Sequence, residues 1–256
     1  MEILFYIFIL FFGLVVGSFL NSIIYRLSTD ESFLFKRSSC PHCKHQLSWQ
    51  DLIPIFSFLI LRGKCRYCKK PISWQYPLVE LTTAILFLSP IINGSPTSIK
   101  LGDLFFYWIF TSFLIIIFVY DLKYYIIPDK VIYPAIGIAF LYQIIIHNSQ
   151  FILQYLISAF GAAAFFLVIV LVSRGKWMGV GDIKLAFFIG LFLGWSNILV
   201  ALFLAFFIGA IIGVGLIVTD KKTLKSEVPF GPFLVAGTFI ALFWGENIIN
   251  WYLRLF

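Results

Sequence analysis

Charged residues are scarce in this sequence. Only 12% of the 256 residues are Asp, Glu, Lys or Arg, whereas 61% are hydrophobic and 20% are aromatic. The mean hydropathy is +0.98. A soluble domain of this length does not need so much apolar surface, so the composition predicts that the lipid bilayer is the solvent of this chain. The shortage of charge therefore excludes an ordinary soluble enzyme.

Several familiar binding features are also missing. The sequence has neither a Rossmann glycine fingerprint nor the Lys-Ser/Thr pair of a Walker loop. It has no separate basic domain or tail, and its formal net charge of +7 comes from basic residues that lie mostly in a few short loops. That placement is typical of membrane proteins, so we expect no nucleic-acid partner.

Eight apolar runs predict an all-α polytopic membrane protein with about eight transmembrane helices. The predicted spans are 3–25, 78–92, 104–120, 131–147, 151–172, 183–196, 198–218 and 232–252. Several are shorter than the roughly 20 residues of a full crossing. The predicted domains are a first transmembrane helix at 1–25, a soluble insert at 26–77 and a seven-helix membrane domain at 78–256.

The basic residues also predict the orientation in the membrane. Glu2 rather than a basic region precedes the first span, and Arg26 follows it, which favours an uncleaved helix with its N-terminus outside. Seventeen of the 19 Lys and Arg residues then fall in the loops 26–77, 121–130, 173–184 and 219–230. The positive-inside rule places these loops in the cytosol and both termini outside.

All four cysteines lie in the predicted insert, as two Cys-x2-Cys pairs separated by 21 residues. This spacing is typical of a structural four-cysteine zinc site, whose ligands are Cys40, Cys43, Cys65 and Cys68. Redox-active or incidental pairs are the alternative, although the reducing cytosol disfavours disulfides. His42 and His45 are alternative ligands, but four thiolates suffice, so we expect both to be surface residues.

Two aspartates follow or precede apolar runs and form the candidate catalytic pair. Asp121 follows Phe113–Tyr120, and Asp182 closes the sequence Gly179-Val180-Gly181-Asp182. A carboxylate at a membrane-spanning segment is costly and usually functional. Both aspartates are predicted in cytosolic loops at helix ends, where they could meet. Two carboxyls held close cannot both ionise cheaply, so we expect them to share a proton and to perform acid–base chemistry.

Five further residues are predicted to support this site. Gly179 and Gly181 lack a Cβ, which lets an extended peptide approach Asp182. Lys184 either pairs with Asp182 or is a positive-inside anchor. Asp129 is expected mainly to cap the next helix as an N-terminal acid.

Glu80 lies in the first turn of the second predicted span. It is expected to have a structural partner, such as Arg26, or to serve a methylation site.

The motifs together resemble the type IV prepilin peptidases, the GxGD class of intramembrane aspartyl proteases. The resemblance covers nearly the whole chain. Besides both cysteine pairs and the residues around Asp121 and Asp182, it includes Gly17-Ser18-Phe19-Leu20-Asn21, Tyr25-Arg26-Leu27, Arg62-Gly63-Lys64, Pro71-Ile72-Ser73, Tyr76-Pro77-Leu78-Val79-Glu80-Leu81, Ile127-Pro128-Asp129 and Val228-Pro229-Phe230-Gly231-Pro232-Phe233.

The resemblance implies a function, a location and a cofactor. Members of this family cleave the short basic leader of prepilins and pseudopilins at the cytosolic face of the bacterial inner membrane. The positions matching Asp121 and Asp182 are the catalytic ones. Many members then methylate the new N-terminus with S-adenosylmethionine, and those with a paired-cysteine insert are usually bifunctional.

Three alternatives stay open at the level of sequence. The protein could be a peptidase without methyltransferase activity. It could be a proton- or cation-coupled transporter, in which paired carboxylates relay protons, although no internal repeat is visible. A zinc-stapled membrane scaffold would explain the cysteines but not the aspartates.

Overall fold

A computed structural model describes residues 2–29, 37–93, 100–146, 149–219 and 228–255, so residues 30–36 of the predicted insert and most of the loop 219–230 lie outside the described part. The described residues form nine α-helices and one short 3-10 helix, Trp49–Leu52, and no β-strand. The α-helices are α1 Glu2–Thr29, α2 Phe56–Ile60, α3 Gln75–Asn93, α4 Leu101–Tyr124, α5 Asp129–Ile146, α6 Ser149–Ser173, α7 Val180–Leu193, α8 Asn197–Val218 and α9 Gly231–Leu253.

The predicted all-helical membrane fold is confirmed. A helix occupies each of the eight predicted spans, because a backbone in lipid must satisfy its own hydrogen bonds. Within the described ranges, seven helices are long and apolar enough to cross a membrane: α1, α3, α4, α5, α6, α8 and α9. The eighth, α7, has only 14 residues and is too short for a full crossing of about 20 residues.

The chain divides into two compact units, Met1–Ile116 and Ile117–Phe256, and the division falls within α4. In the first unit, α1 and α3 meet along a seam of small residues. A Cβ added to Gly13 would lie 2.6 Å from the Ala84 Cα, and one added to Gly17 would lie 2.7 Å from the Glu80 Cα. Only glycine therefore lets the two backbones approach so closely.

Aromatic packing extends this helix pair to the first part of α4. The Phe87 and Trp108 rings stack with their centroids 5.4 Å apart, and Trp108 donates its indole N–H to the Phe87 carbonyl over 3.0 Å. Ile9, Ile91 and Leu104 are buried in the same cluster. Buried Trp usually needs such a partner for its polar edge.

The second unit contains two helix pairs that also meet at glycine. A Cβ added to Gly190 of α7 would lie 2.5 Å from the Ala159 Cα of α6, and Gly237 of α9 packs against Ala201 of α8. In addition, the buried Gln143 side chain of α5 donates a 2.7 Å hydrogen bond to the Leu191 carbonyl of α7. The contacts of Gly190 and Gln143 fix the position of α7, whose N-terminus carries the second candidate aspartate.

Candidate active site and metal centre

Asp121 lies in the last turn of α4 rather than in the loop where it was expected. The helix continues through Tyr124 and ends where Tyr125, at φ +60°, donates its N–H to the Asp121 carbonyl over 2.8 Å. The side chain of Asp121 is buried and accepts a hydrogen bond from the Gly231 backbone N–H. Helix α4 therefore holds this carboxyl away from bulk water.

Gly231 packs directly against the Asp121 carboxyl. A Cβ added to Gly231 would lie 2.5 Å from Asp121 Oδ2, so a side chain there would displace the carboxyl. The N-terminus of α9 is held by its neighbour Phe230, whose ring centroid is 4.9 Å from that of Phe206 and 5.8 Å from that of Phe166. Gly231 lies in one of the motifs that carry the family resemblance, but nothing in the sequence pattern indicates its contact with Asp121.

Asp182 occupies the third position of α7 and caps its N-terminus. Gly179, the N-cap residue, donates its backbone N–H to Asp182 Oδ2 over 3.2 Å. A helix N-terminus stabilises a nearby negative charge, because its free N–H groups and the helix dipole point toward it. The side chain of Asp182 is nevertheless buried, and burial opposes ionisation.

The two candidate carboxyls interact electrostatically. The charge of Asp121 acts on the carboxyl of Asp182, although the two residues come from different helices. Each also accepts a backbone N–H from a glycine, Gly231 for Asp121 and Gly179 for Asp182. Two buried carboxyls that repel each other's charge favour a state in which only one of them is ionised, so that one can work as a base and the other as an acid.

Gly181 brings the loop before α5 against the start of α7. A Cβ added to Gly181 would lie 3.1 Å from the Ile127 Cβ, so the residue is too crowded for most side chains. Gly179, by contrast, is exposed and has no neighbour that would clash with a Cβ. The two glycines therefore differ: Gly181 is needed for packing, whereas Gly179 leaves the approach to Asp182 open.

Lys184 pairs with Asp129, and this partner was not anticipated. Lys184 Nζ lies 2.6 Å from Asp129 Oδ1 and 4.8 Å from the centroid of the Tyr133 ring. The sequence alone favours either pairing of Lys184 with Asp182 or a role for Lys184 as a positive-inside anchor. Asp129 is the first residue of α5, in agreement with its expected role as an N-terminal acid, and it joins the starts of α5 and α7.

The four cysteines form a single cluster. Their sulfur atoms all lie within 4.8 Å of one another, and the Sγ atoms of Cys40 and Cys68 are 3.9 Å apart. Four thiolates at about 2.3 Å from a tetrahedral ion would be separated by roughly 3.8 Å, so the arrangement fits a metal centre. All four cysteines are free thiols in the structure.

The two cysteine pairs have the same backbone structure. Lys44 donates its N–H to the Cys40 carbonyl over 2.9 Å, and Lys69 donates to that of Cys65 over 3.0 Å. Both lysines have φ +59°. Burial acts to raise the pKa of the Cys40 thiol, but the backbone N–H groups of Cys43 and His42 lower it to about 7. This lowered pKa favours the thiolate of Cys40, which is the form that binds metal. The Lys70 backbone N–H acts to lower the pKa of Cys68, but burial and the neighbouring thiols raise it to about 11, so Cys40 ionises more readily than Cys68.

Asp51 connects the second cysteine pair to the rest of the insert. Its carboxylate accepts hydrogen bonds from Arg66 Nε over 2.7 Å, Tyr67 Oη over 3.2 Å and Ser48 Oγ over 2.8 Å. Burial acts to raise the pKa of Asp51, but these hydrogen bonds outweigh it and hold the pKa below its usual range. The Tyr67 ring in turn packs at a tilt against the His45 ring, with the ring centroids 3.7 Å apart.

Glu80 ties the insert to the helix pair. Its side chain is buried, and Oε2 accepts a 2.7 Å hydrogen bond from the Ile55 backbone N–H. Ser18 of α1 donates a second hydrogen bond to the carboxylate. Ile55 has φ +59°, a strained value for a β-branched residue. Glu80 thus has structural partners, and the Ile55 backbone was not foreseen among them.

Comparison with known proteins gives a consistent result over the whole chain. The model of the bacterial peptidase A24 N-terminal domain matches residues 11–93, and that of the type IV leader peptidase family matches residues 108–214. No solved structure gives a significant match.

Three curated relatives share the name prepilin leader peptidase/N-methyltransferase. The relative from Aeromonas hydrophila is 33% identical, over 99% of this chain and 95% of its own. That from Bacillus subtilis (strain 168) is 36% identical, over 95% and 96%. That from Legionella pneumophila is 34% identical, over 94% and 92%. With such identity over nearly the full length, in addition to both family models, the chain belongs to the type IV leader peptidase family.

Proposed function

We propose that this protein cleaves the basic leader peptide from prepilins or pseudopilins and that Asp121 and Asp182 are its catalytic residues. The observation that carries the proposal is that these two carboxyls are both buried at helix ends and interact electrostatically. Membership of the type IV leader peptidase family supports the same reaction. A soluble aspartic protease would need neither the apolar helices nor a site at their ends.

The reaction follows from a carboxyl pair that holds one proton. The ionised aspartate takes a proton from water, and the oxygen of that water attacks the scissile carbonyl carbon. The protonated aspartate donates to the carbonyl oxygen, which gives a tetrahedral diol. The carbon–nitrogen bond then breaks, and the leaving amine takes a proton from the pair. Neither carboxyl can perform both roles alone.

The substrate has to present an extended peptide bond to this pair. A helical peptide bond is shielded by its own turn, so the prepilin helix must unwind at the cut. The absence of a side chain at exposed Gly179 leaves room for that strand beside Asp182. A prepilin has its basic leader in the cytosol and its apolar helix in the membrane, so the junction lies at the inner membrane surface.

The proposed orientation places the site at that surface. Seventeen of the 19 basic residues lie in loops on one side when the N-terminus is outside, as the positive-inside rule requires of the cytosolic side. We place the protein in the bacterial inner membrane with Asp121, Asp182 and the cysteine insert facing the cytosol. A transporter would instead be expected to hold such carboxylates near the membrane midplane.

We propose that the insert binds one structural zinc ion through Cys40, Cys43, Cys65 and Cys68. Four thiolates leave no open position for water, so the ion would hold the insert together rather than take part in catalysis. The insert has little core of its own, and a metal supplies the missing stability. The shared pattern of hydrogen bonds at the two cysteine pairs supports this assignment.

The second proposed activity is methylation of the new N-terminus. Its support is the relatives' shared name, which includes N-methyltransferase, and the proposed donor is S-adenosylmethionine. The described residues include no glycine-rich dinucleotide turn that would identify a site for this donor. No residue is therefore assigned to it, and the peptidase proposal does not depend on it.

Coexpression with a candidate prepilin tests both activities. The mass of the mature N-terminus reports cleavage and methylation together. We expect Asp121→Asn and Asp182→Asn each to abolish cleavage while the protein still inserts, whereas Glu246→Gln, at an exposed carboxylate of α9, leaves it unchanged. Near-normal processing by either aspartate variant would rule out the carboxyl pair. Cleaved but unmethylated product would leave a peptidase alone.

A further inference from the structure

The short helix α2 is anchored to the insert by the side chain of Phe58. Phe58 is buried, its ring centroid lies 5.0 Å from that of Trp74, and a Cβ added to Gly63 would lie 3.2 Å from the Phe58 ring. Gly63 also accepts the Ile72 N–H over 2.7 Å. Phe58 therefore anchors α2 against the loop that carries the second cysteine pair.

The opposite side of α2 presents large apolar side chains to the surroundings. Phe56, Leu59 and Ile60 are 50%, 63% and 76% exposed. Their spacing of i, i+3 and i+4 places them on one side of the helix. Trp49 and Trp74 are 72% and 68% exposed nearby in the sequence. A soluble surface rarely leaves so much apolar area uncovered.

Exposed charge on the same insert is entirely positive over residues 37–74. All seven basic side chains in that stretch are exposed: Arg37, Lys44, Arg62, Lys64, Arg66, Lys69 and Lys70. Its one acidic residue, Asp51, has a side chain only 4% exposed and is paired with Arg66. The surface of the described insert is therefore complementary to a negatively charged partner.

We propose that Phe56, Leu59 and Ile60 dock the insert on the anionic lipid surface of the adjoining membrane leaflet, with exposed Lys and Arg side chains of the same insert on the lipid headgroups. Segments that lie at the membrane interface typically combine large apolar side chains with Trp and basic residues. They bury their apolar side at the boundary between the lipid headgroups and the acyl chains. Lys and Arg side chains near an anionic membrane surface are attracted to its headgroups.

The position of the insert in the chain supports the membrane over other occupants. It is joined at one end to α1 and at the other to α3, and both are long enough to cross a bilayer. Their ends hold the insert near the membrane surface. A prepilin leader is basic and would be repelled by the same seven side chains. The inference stands without the proposed enzymatic activity.

Photocrosslinking in the full-length protein identifies the occupant. The photoreactive residue p-benzoylphenylalanine replaces Leu59, and the protein is placed in nanodiscs of phosphatidylglycerol and phosphatidylcholine with prepilin present. Gln46, exposed on the first cysteine pair, is the surface control, and buried Phe58 is the internal control. We expect lipid adducts at Leu59 to exceed those at Gln46 several-fold, and the Phe58 probe to crosslink within the insert.

Other outcomes would overturn the proposal. A Leu59 adduct with prepilin, or with another part of this chain, would make the surface a protein-docking site. Absence of any adduct at Leu59, while Phe58 crosslinks internally, would leave the surface in water.

A charge variant provides the second test. With the probe at Phe56, Lys64→Gln combined with Lys70→Gln is expected to lower the lipid adducts several-fold in anionic nanodiscs and to have little effect in phosphatidylcholine alone. An unchanged metal content shows that the insert is still folded. Equal adduct yields in the two lipids for the unsubstituted protein would show that anionic headgroups do not contribute.

Discussion

Lys184 Nζ and Asp129 Oδ1 lie 2.6 Å apart and join the first turns of α7 and α5. Lys184 follows Asp182 by two residues, and Asp129 follows Ile127, which packs on Gly181. The ion pair and the Gly181 contact therefore connect the same two segments. Neither Lys184 nor Asp129 needs to touch the substrate to influence the position of Asp182.

The first prediction is that this ion pair supports prepilin cleavage by holding the starts of α5 and α7 together. Lys184→Asp and Asp129→Lys should each reduce the rate of prepilin cleavage about two- to five-fold, because exposed pairs contribute up to about 1 kcal/mol. The double exchange should restore most of the rate. Lys176→Gln, at an exposed lysine of the preceding turn, is the control. A double variant that loses as much as both single variants together would show that the pairing is irrelevant.

The second prediction concerns the contact between Gly231 and Asp121. A Cβ at position 231 would meet Asp121 Oδ2 at 2.5 Å, so Gly231→Ala should move the carboxyl and slow cleavage on the order of 10- to 100-fold. Gly213→Ala, in the open part of α8, should have no such effect. Steady-state kinetics on purified prepilin measure both. Normal cleavage by the Gly231 variant would mean that Asp121 has room to adjust.

The third prediction concerns the metal. We expect one zinc ion per chain, lost in Cys40→Ser and Cys68→Ser but retained in His42→Ala, because the four sulfurs form the cluster without a histidine. Elemental analysis of the purified variants gives the ratio. Prepilin cleavage should continue without the ion, whereas methylation should fall if the insert supports it. Full zinc content in either cysteine variant would contradict the four-thiolate site.

The fourth prediction follows from the hydrogen bonds to Asp51. Its lowered pKa means that the ionised carboxylate stabilises the fold, so its contribution is complete above the unfolded pKa of about 3.9 and is lost as the pH falls through the lowered folded value. At pH 7, Asp51→Asn should therefore release zinc to a chelator several-fold faster than the unsubstituted protein. Gln50→Ala, exposed beside it, is the matched control.

The presence of helices could be predicted from this sequence more securely than the residues at which they end. The apolar runs specify helices because lipid offers the backbone no other hydrogen-bond partners. Asp121 was nevertheless expected in a loop, because it is charged and follows an apolar run. The helix continues for another turn and ends at Tyr125, which adopts φ +60° without the glycine that usually marks such an end.

Local spacing could predict the cysteine cluster, whereas the partners of the charged residues depend on contacts distant in sequence. The spacing of a Cys-x2-Cys pair is itself enough to predict that its two sulfur atoms lie close together. Lys184, by contrast, could pair with either Asp182 or Asp129, and only the packing of α5 on α7 decides between them. The Glu80 carboxylate accepts a hydrogen bond from the backbone N–H of Ile55. The identity of the Ile55 side chain does not indicate this bond, so the sequence could not predict it.

The close seam between α1 and α3 has a consequence for how readily the insert could be replaced. Gly13 and Gly17 hold the two helices backbone to backbone, so the chain leaves α1 and re-enters α3 at neighbouring points. Closing a loop between neighbouring anchors costs little, and that cost grows only slowly with loop length. The seam itself would accept a short turn as readily as the cysteine insert. Replacing the insert would mainly require a new partner for the buried Glu80 carboxylate, which now accepts the Ile55 N–H.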